Sequence, residues 1–479
     1  MIVSKRPSGS SEAVPIARAS SADLMQLAAE AGSVPMNIGA VLVLGGDAGF
    51  RVERARQLLG ERICAVPRMR QRLYRAPPGC GRPYWADDPA FNVLQHVRQV
   101  PCAAPGDQRA LLGIAAALIG RPLPRSRPLW SATFVTGLAD GSTGLVIALD
   151  HVLADGIGGL AVLARLADES PGPALGGRAP FPAPAPTARA LAADAWTGRA
   201  VRLVHVADRM RAIRQGAAEL GAGGPPRRLR PASLNRPTGP LRRLEVIAAD
   251  LAAVREIGHA CGGTVNDVIL AAVAGALRAL LASRGEQLDL VTISAPVSAR
   301  QADTVGQLGN QAGAMMVTFR TDGGLAGRVA RVAAVTSERK RASRGSSAGL
   351  LGPLFRLLAA AGLLRWFFNH QRLVTTFVTN LRGPAEPLTL GGASLRAVLP
   401  VPATTGNVPV TFAALSYAGT LWLTVLSDPA VVPDVAVLTA ALRRELAGDP
   451  GDGSHCSSGD TTLPRRPLWR GVWKQNTGR

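Results

Sequence analysis

Residues 150–156 read Asp-His-Val-Leu-Ala-Asp-Gly, a single imidazole between two carboxylates with a glycine behind the second. A neutral imidazole in a partly dry site can take a proton from a hydroxyl and return it to a leaving group. His151 is the candidate for that work. Asp155, four residues on, can hold the loop through a hydrogen bond or an arginine, and Gly156 permits a backbone angle or close approach that a β-carbon would block. The bland alternative is a histidine at a strand end followed by an Asp helix cap.

The flanking residues say how this heptad is held. LVIAL (145–149) is aliphatic and β-branched and predicts a buried strand. GGLAVLARLADE (158–169) has helical spacing, so His151 and Asp155 fall at a strand-to-helix junction, where a rigid element positions a group and a loop gives access. Strand alternation puts His151 on the face of Ile147 and Leu149, with Asp150 on the other.

Further strands are predicted in AVLVL (40–44), ATFVTGL (132–138), LDLVTISAPVS, GAMMVTFRT, LVTTFVTNL and TLWLTVLSD, and helices in DQRALLGIAAALIG and the long TVNDVILAAVAGALR run. Between the halves lie two breaker stretches, ESPGPALGGRAPFPAPAPTARA and GAGGPPRRLRPASLNRPTGP, read as surface connections around a helical stretch near 187–220. The expected organisation is a loose start (1–14), an N-terminal domain (15–185), a helical and Pro/Gly-rich crossover (186–240), a C-terminal domain (241–448) and a basic, disordered tail (449–479). No period of 20–50 residues repeats, which argues against a solenoid.

The chain has 479 residues, 47% hydrophobic, long enough for more than one core. Its formal charge is +21, yet only Lys5, Lys340 and Lys474 are lysines, and the arginines are scattered with aromatics at 4%. A nucleic-acid binder would show a basic stripe with stacking aromatics. Anionic lipid heads or a phosphate-rich substrate are the better use of the charge. Five cysteines without a CxxC pair read as reduced thiols, and no histidine has a partner at metal-ligand spacing. The start has no apolar signal-peptide core, and no window reaches 18 uncharged apolar residues, which predicts no membrane-spanning helix. LLGPLFRLLAAAGLLRWFFNHQRL (350–373), apolar with an aromatic end, suits a helix lying on a membrane surface, or else a core helix with arginines at its edge. GSSAG (345–349) matches the hydrolase nucleophile pattern but follows a charged stretch rather than a strand, and reads as a loop.

HxxxDG is shared with the acyltransferase superfamily of chloramphenicol acetyltransferase and condensation domains. More closely, the chain resembles the bacterial wax ester synthase/diacylglycerol acyltransferase family over about residues 15–446. PMNIGAVLVL (35–44), VPRMRQRL (66–73), RSRPLW (125–130), TVNDVILAAVAGALR (264–278), PVSAR (296–300), GN (309–310), TNLRGP (379–384), SYAG (416–419) and VPD (432–434) match its motifs in order. Asp150 departs from the pattern, standing where the family usually has a first histidine; the second is His151.

The resemblance implies two chloramphenicol-acetyltransferase-like α/β domains with an active-site tunnel between them. It implies acyl-CoA-dependent esterification of diacylglycerol or a long-chain alcohol, with His151 as general base, direct transfer, no bound cofactor and no metal. Asn266 is the candidate oxyanion donor, though TVND before a helix also suits an N-cap. Asp155 is expected to pair with Arg70, Arg72 or Arg300, and Asp150 and Asp267 to support the site. The expected setting is cytoplasmic, peripheral on the inner membrane face or on lipid inclusions. The rival readings are a superfamily acyltransferase acting on a specialised-metabolite hydroxyl or amine, and a non-catalytic lipid-binding homologue.

Overall fold

The structure is a computed structural model that describes residues 16–29, 34–47, 49–153, 156–168, 181–204, 211, 230–298, 312–342, 358 and 361–448. In the first half the elements are α1 (Ser21–Ala29), β1 (Asn37–Leu44), α2 (Val52–Cys64), β2 (Gln71–Tyr74), β3 (Tyr84–Asp87), β4 (Val97–Pro101), α3 (Gln108–Ile119), β5 (Trp130–Thr136), β6 (Thr143–Asp150), α4 (Gly156–Leu166) and α5 (Ala188–Val204). The second half has β7 (Arg243–Asp250), α6 (Leu251–Ala260), α7 (Val265–Ser283), β8 (Leu290–Ser298), β9 (Ala312–Arg320), α8 (Leu325–Ala342), α9 (Leu364–His370), β10 (Thr376–Arg382), β11 (Thr389–Leu390), β12 (Ala393–Val401), β13 (Val410–Tyr417), β14 (Thr420–Ser427) and α10 (Val435–Ala447).

Two six-stranded sheets organise the halves, in the orders β11-β12-β1-β6-β5-β4 and β7-β14-β13-β10-β8-β9. In the first, β1 lies antiparallel between β6 and β12. All eight residues of β6 are buried, which is why its sequence is a continuous apolar run rather than an alternation. Gly39 of β1 is required by close approach: a β-carbon there would run into the Ile147 carbonyl oxygen of β6. Helix α3 starts where Asp107 caps it, its side chain accepting from the Ala110 N–H at 2.8 Å.

The first sheet is completed from outside its own half. Residues 389–401, within the expected C-terminal domain, form β11 and β12 and join β1. The hydroxyl of Tyr417, at the end of β13, accepts from the Leu388 N–H (2.7 Å) and donates to the Leu395 carbonyl (2.8 Å). One buried phenol thereby holds the base of the hairpin that crosses between the sheets.

The second core is built around α7. Thirteen of its residues are buried, from Asp267 to Leu281. Its length and apolar composition would suit a membrane span. Its buried setting against β-sheet and helices instead accounts for the apolarity. The strands expected in AVLVL, ATFVTGL, LVIAL, LVTTFVTNL (373–381) and TLWLTVLSD (420–428) form within β1, β5, β6, β10 and β14, and the long helix after TVND forms as α7. Helix α5 forms within the expected helical stretch and packs Leu191 and Ala195 inward, with Leu191 joining Tyr84 and Ala86 of β3 in a small satellite core.

Candidate active site

His151 follows the last residue of β6 and opens the turn toward α4. Two segments far away in sequence hold it there. The His151 N–H donates to the Met36 carbonyl at 2.9 Å, and the Asp150 N–H donates to the Leu129 carbonyl at 3.0 Å. Met36 belongs to the PMN segment before β1, and Leu129 to the PLW segment before β5. Asn37 reinforces the same end of the sheet. Its amide donates to the carbonyls of Ile119 (2.8 Å) and Arg121 (2.7 Å), fixing the end of α3, while its backbone lies opposite Asp150.

Asp150 shapes the turn. Its side chain is buried, its Oδ1 accepts from the Val152 N–H at 2.8 Å, and its carbonyl accepts from the Leu153 N–H at 2.9 Å. This is an Asx turn, which a short acceptor side chain closes directly after the strand. The residue that departs from the family pattern thus supports the histidine loop through its Oδ1. Asp150→Asn keeps an acceptor oxygen for the Val152 N–H, and is expected to retain more of the melting temperature and initial rate than Asp150→Ala. Asp150→Ala leaves the buried Val152 N–H unsatisfied, a cost of about 1–3 kcal/mol. Thermal melting and rates of the two variants check this; equal behaviour of Asn and Ala would refute the turn's role.

Asn266 is the second residue of α7, and it is not the cap. Thr264 caps the helix in a reciprocal box with Asp267, whose Oδ2 accepts from the Thr264 N–H (2.8 Å) and hydroxyl (2.7 Å). The other Asp267 oxygen accepts from Thr336 Oγ1 of α8 at 2.9 Å. Asp267 is therefore a support that fixes the helix start, and the alternative of Asn266 as N-cap falls away. The Asn266 Oδ1 instead accepts from Asn380 Nδ2 on β10, at 3.4 Å. That bond engages Oδ1 and leaves Asn266 Nδ2, at the N-terminal end of α7, available as a donor. Asn380 lies in TNLRGP; the motif was visible in the sequence, but only the β10–α7 juxtaposition gives this asparagine a task.

The halves meet next to these groups, since α4, which begins with Gly156, packs on β10. Asp155 and Arg300 lie outside the described residues, as do PVSAR beyond Ser298, Gly309 and Asn310. Of the other two arginines, Arg72 sits 3.8 Å from the buried Asp88 carboxylate, and Arg70 stacks 4.5 Å over the Phe181 ring. The carbonyl of Met69, directly before Arg70, accepts from the indole N–H of Trp130 at 2.7 Å, which ties this arginine stretch to the PLW segment. His96 stacks on the same indole at 4.4 Å, and burial lowers its pKa, so it is a neutral packing residue.

Neither Cys64 nor Cys102 is an activated nucleophile. Burial raises both thiols, outweighing the Arg70 charge near Cys64, and a scarce thiolate is a poor nucleophile. GSSAG lies outside the described residues. Two cavities border the seam. A water-sized one of about 10 Å³ is lined by Asn37, Arg242 and Thr404. A cleft of about 320 Å³ is lined by Arg109, Glu245 and Arg443.

Comparison with known proteins agrees with this layout. Residues 20–269 match the family described as the wax ester synthase/diacylglycerol acyltransferase catalytic domain, and residues 308–448 match the C-terminal domain of the same family. A Mycobacterium tuberculosis protein named as a probable diacylglycerol O-acyltransferase, tgs1, is 31% identical over 434 residues, covering 86% of this chain and 91% of its own. A Mycobacterium bovis relative provisionally named for the same activity matches to the same extent, 31% over 434 residues. Among solved structures, the wax ester synthase/diacylglycerol acyltransferase from Marinobacter aquaeolei VT8 superposes with a TM-score of 0.64 at 22% identity, over 90% of this chain and 98% of that one. The first condensation domain of the calcium-dependent antibiotic synthetase gives 0.62 at 19% identity, over 91% and 96%. The fold is thus the expected pair of chloramphenicol-acetyltransferase-like halves. With both domain profiles matched in order and a relative aligned across most of its length, this chain belongs to the wax ester synthase/diacylglycerol acyltransferase family.

Proposed function

We propose that the protein transfers a fatty acyl group from acyl-CoA to the hydroxyl of a diacylglycerol or a long-chain alcohol, with His151 as the base. His151 takes the acceptor's proton as the hydroxyl oxygen attacks the thioester carbonyl carbon. The tetrahedral oxyanion collapses with cleavage of the carbon–sulfur bond, and the imidazolium returns the proton to the departing CoA thiolate. The proton balance closes on one imidazole, so no covalent acyl-enzyme is required. Asn266 Nδ2 and the N–H groups of Val265 and Asn266 at the start of α7 are the donors to the oxyanion.

The observation that carries the reading is the convergence on one loop. PMN and PLW supply the backbone acceptors that hold His151 and Asp150, while α4 abuts the strand whose Asn380 orients Asn266. Labelled palmitoyl-CoA supplied with a diacylglycerol and hexadecanol together tests it. Labelled triacylglycerol or wax ester is the expected product, and their ratio names the preferred acceptor. Label in neither lipid, with thioester consumed only when a small hydroxyl or amine compound is offered, would transfer the reading to a specialised-metabolite acceptor.

The acceptor lipid lies at an interface, and we place the protein on the cytoplasmic side of one. Leu363 and Trp366, at the start of α9, are 50% and 62% exposed, and Arg365 between them is exposed as well. Apolar side chains with an adjacent cation suit an anionic lipid surface. Leu363→Ser with Trp366→Ser is expected to lower co-flotation with vesicles containing anionic lipid by about tenfold, from the apolar area withdrawn. Unchanged flotation would refute this contact.

A further inference from the structure

Asp168 stands two residues beyond the end of α4, outside every motif named above. Its carboxylate is the meeting point of three elements. Oδ1 lies 2.7 Å from the Arg62 guanidinium of α2 and accepts from the Gly391 N–H at 3.0 Å. Oδ2 accepts from the Thr389 hydroxyl at 3.0 Å and from the Gly392 N–H at 2.9 Å. The Asp168 N–H in turn donates to the Thr389 carbonyl at 2.9 Å, and Arg62 also donates to the Leu166 carbonyl at the end of α4 at 2.5 Å.

The receiving turn is built for this carboxylate. Gly391 and Gly392 have φ of 60° and 80°, left-handed values that favour glycine. Successive N–H groups in such a turn point to one side and form an anion cradle. Burial raises the carboxyl, but hydrogen bonds from the Gly392 N–H, the Arg62 guanidinium, the Gly391 N–H and the Thr389 hydroxyl outweigh it and hold the pKa at about 2. The bonds therefore persist across the working pH range.

The turn belongs to the β11–β12 hairpin, the piece that the second half sends to the first sheet. β12 pairs with β1, and the residue preceding β1, Met36, accepts from the His151 N–H. The hairpin thus reaches the histidine loop along two routes: through β1 to His151 itself, and through Asp168 to the far end of the helix that begins with Gly156.

We propose that Asp168 is a positioning residue for the transfer reaction, fixing α4 and with it the His151 loop against the hairpin from the second half. The inference rests on the acyl-transfer reading. Asp168→Asn removes the charge and puts an amide NH₂ against donors. It is expected to lower kcat by about tenfold or more, as a sub-ångström misplacement of catalytic groups does, with KM for palmitoyl-CoA changed less than about twofold. Amide exchange in residues 160–166 of α4 should accelerate while β5 stays protected. Thr389→Val, which spares the Arg62, Gly391 and Gly392 bonds to Asp168, should shift both readouts in the same direction by less, and serves if the first variant fails to fold. A lowered melting temperature with kcat retained would make Asp168 mere glue between the halves and overturn the proposal. So would unchanged exchange in α4. If the native chain shows no acceptor-dependent turnover, the acyl-transfer reading fails by itself, and the exchange measurement still decides whether Asp168 holds α4.

Discussion

His151→Ala is expected to lower kcat/KM for ester formation by about 10²–10⁴-fold, the usual worth of a positioned general base. The loss should fall on kcat, because the imidazole acts on a proton in flight rather than on the bound acyl chain. The loop should survive, since backbone hydrogen bonds of residues 150–153 and the Asp150 side chain hold it in place. A folded His151→Ala variant with a collapsed rate is therefore the expected pairing. His151→Gln, which retains hydrogen bonding without a titratable nitrogen, should be nearly as slow. Retention of the rate in either variant, measured by single-turnover quench of labelled ester, would remove His151 from the chemistry.

Asn266→Ala has the second-largest expected effect, a loss of about 10²–10³-fold in kcat, typical of removing one oxyanion donor. The helix should remain capped, because Thr264 and Asp267 close the box without Asn266. Asn266→Asp tests the sign of the interaction: a carboxylate at this place repels an oxyanion, so it should be at least as slow as alanine while keeping the shape. The 3.4 Å contact from Asn380 gives a linked expectation. If Asn380 acts by orienting Asn266, then Asn380→Ala should be slow alone and should add little in the Asn266→Ala background. Steady-state kinetics of the four chains check both points. Additive losses would mean that the two asparagines act separately, and an Asn266→Ala variant with native kcat would assign the oxyanion to other donors.

Much of this site is legible in the sequence. LVIAL announced a buried strand because both faces of β6 are covered, and the helical spacing of GGLAVLARLADE announced α4. The heptad placed His151 at the junction by local pattern alone, and the long TVND helix was equally local. The supporting contacts were less legible because they are made across the chain by backbone carbonyls, which carry no side-chain signature. Met36 and Leu129 serve His151 and Asp150 through such groups, so PMN and PLW could be matched as motifs while their task stayed hidden. Residues 393–401 form a strand of the first sheet although they sit deep in the second half. Their sequence carries a proline and an arginine, and nothing in its pattern says which sheet they join. Asp168 reads in the sequence as one of two acids closing a helical stretch; its role depends on two glycines more than two hundred residues away. Asn266 shows the opposite difficulty, since the sequence allowed a cap and the structure gives that role to Thr264 and Asp267.

The most direct test of the central claim is thiol release from palmitoyl-CoA by the purified protein, with diacylglycerol, with hexadecanol and with no acceptor, in native protein and His151→Ala side by side. The account predicts release that depends on an acceptor in the native protein and vanishes in the variant. Release that ignores the acceptor, or that is the same in both proteins, would contradict transfer by His151.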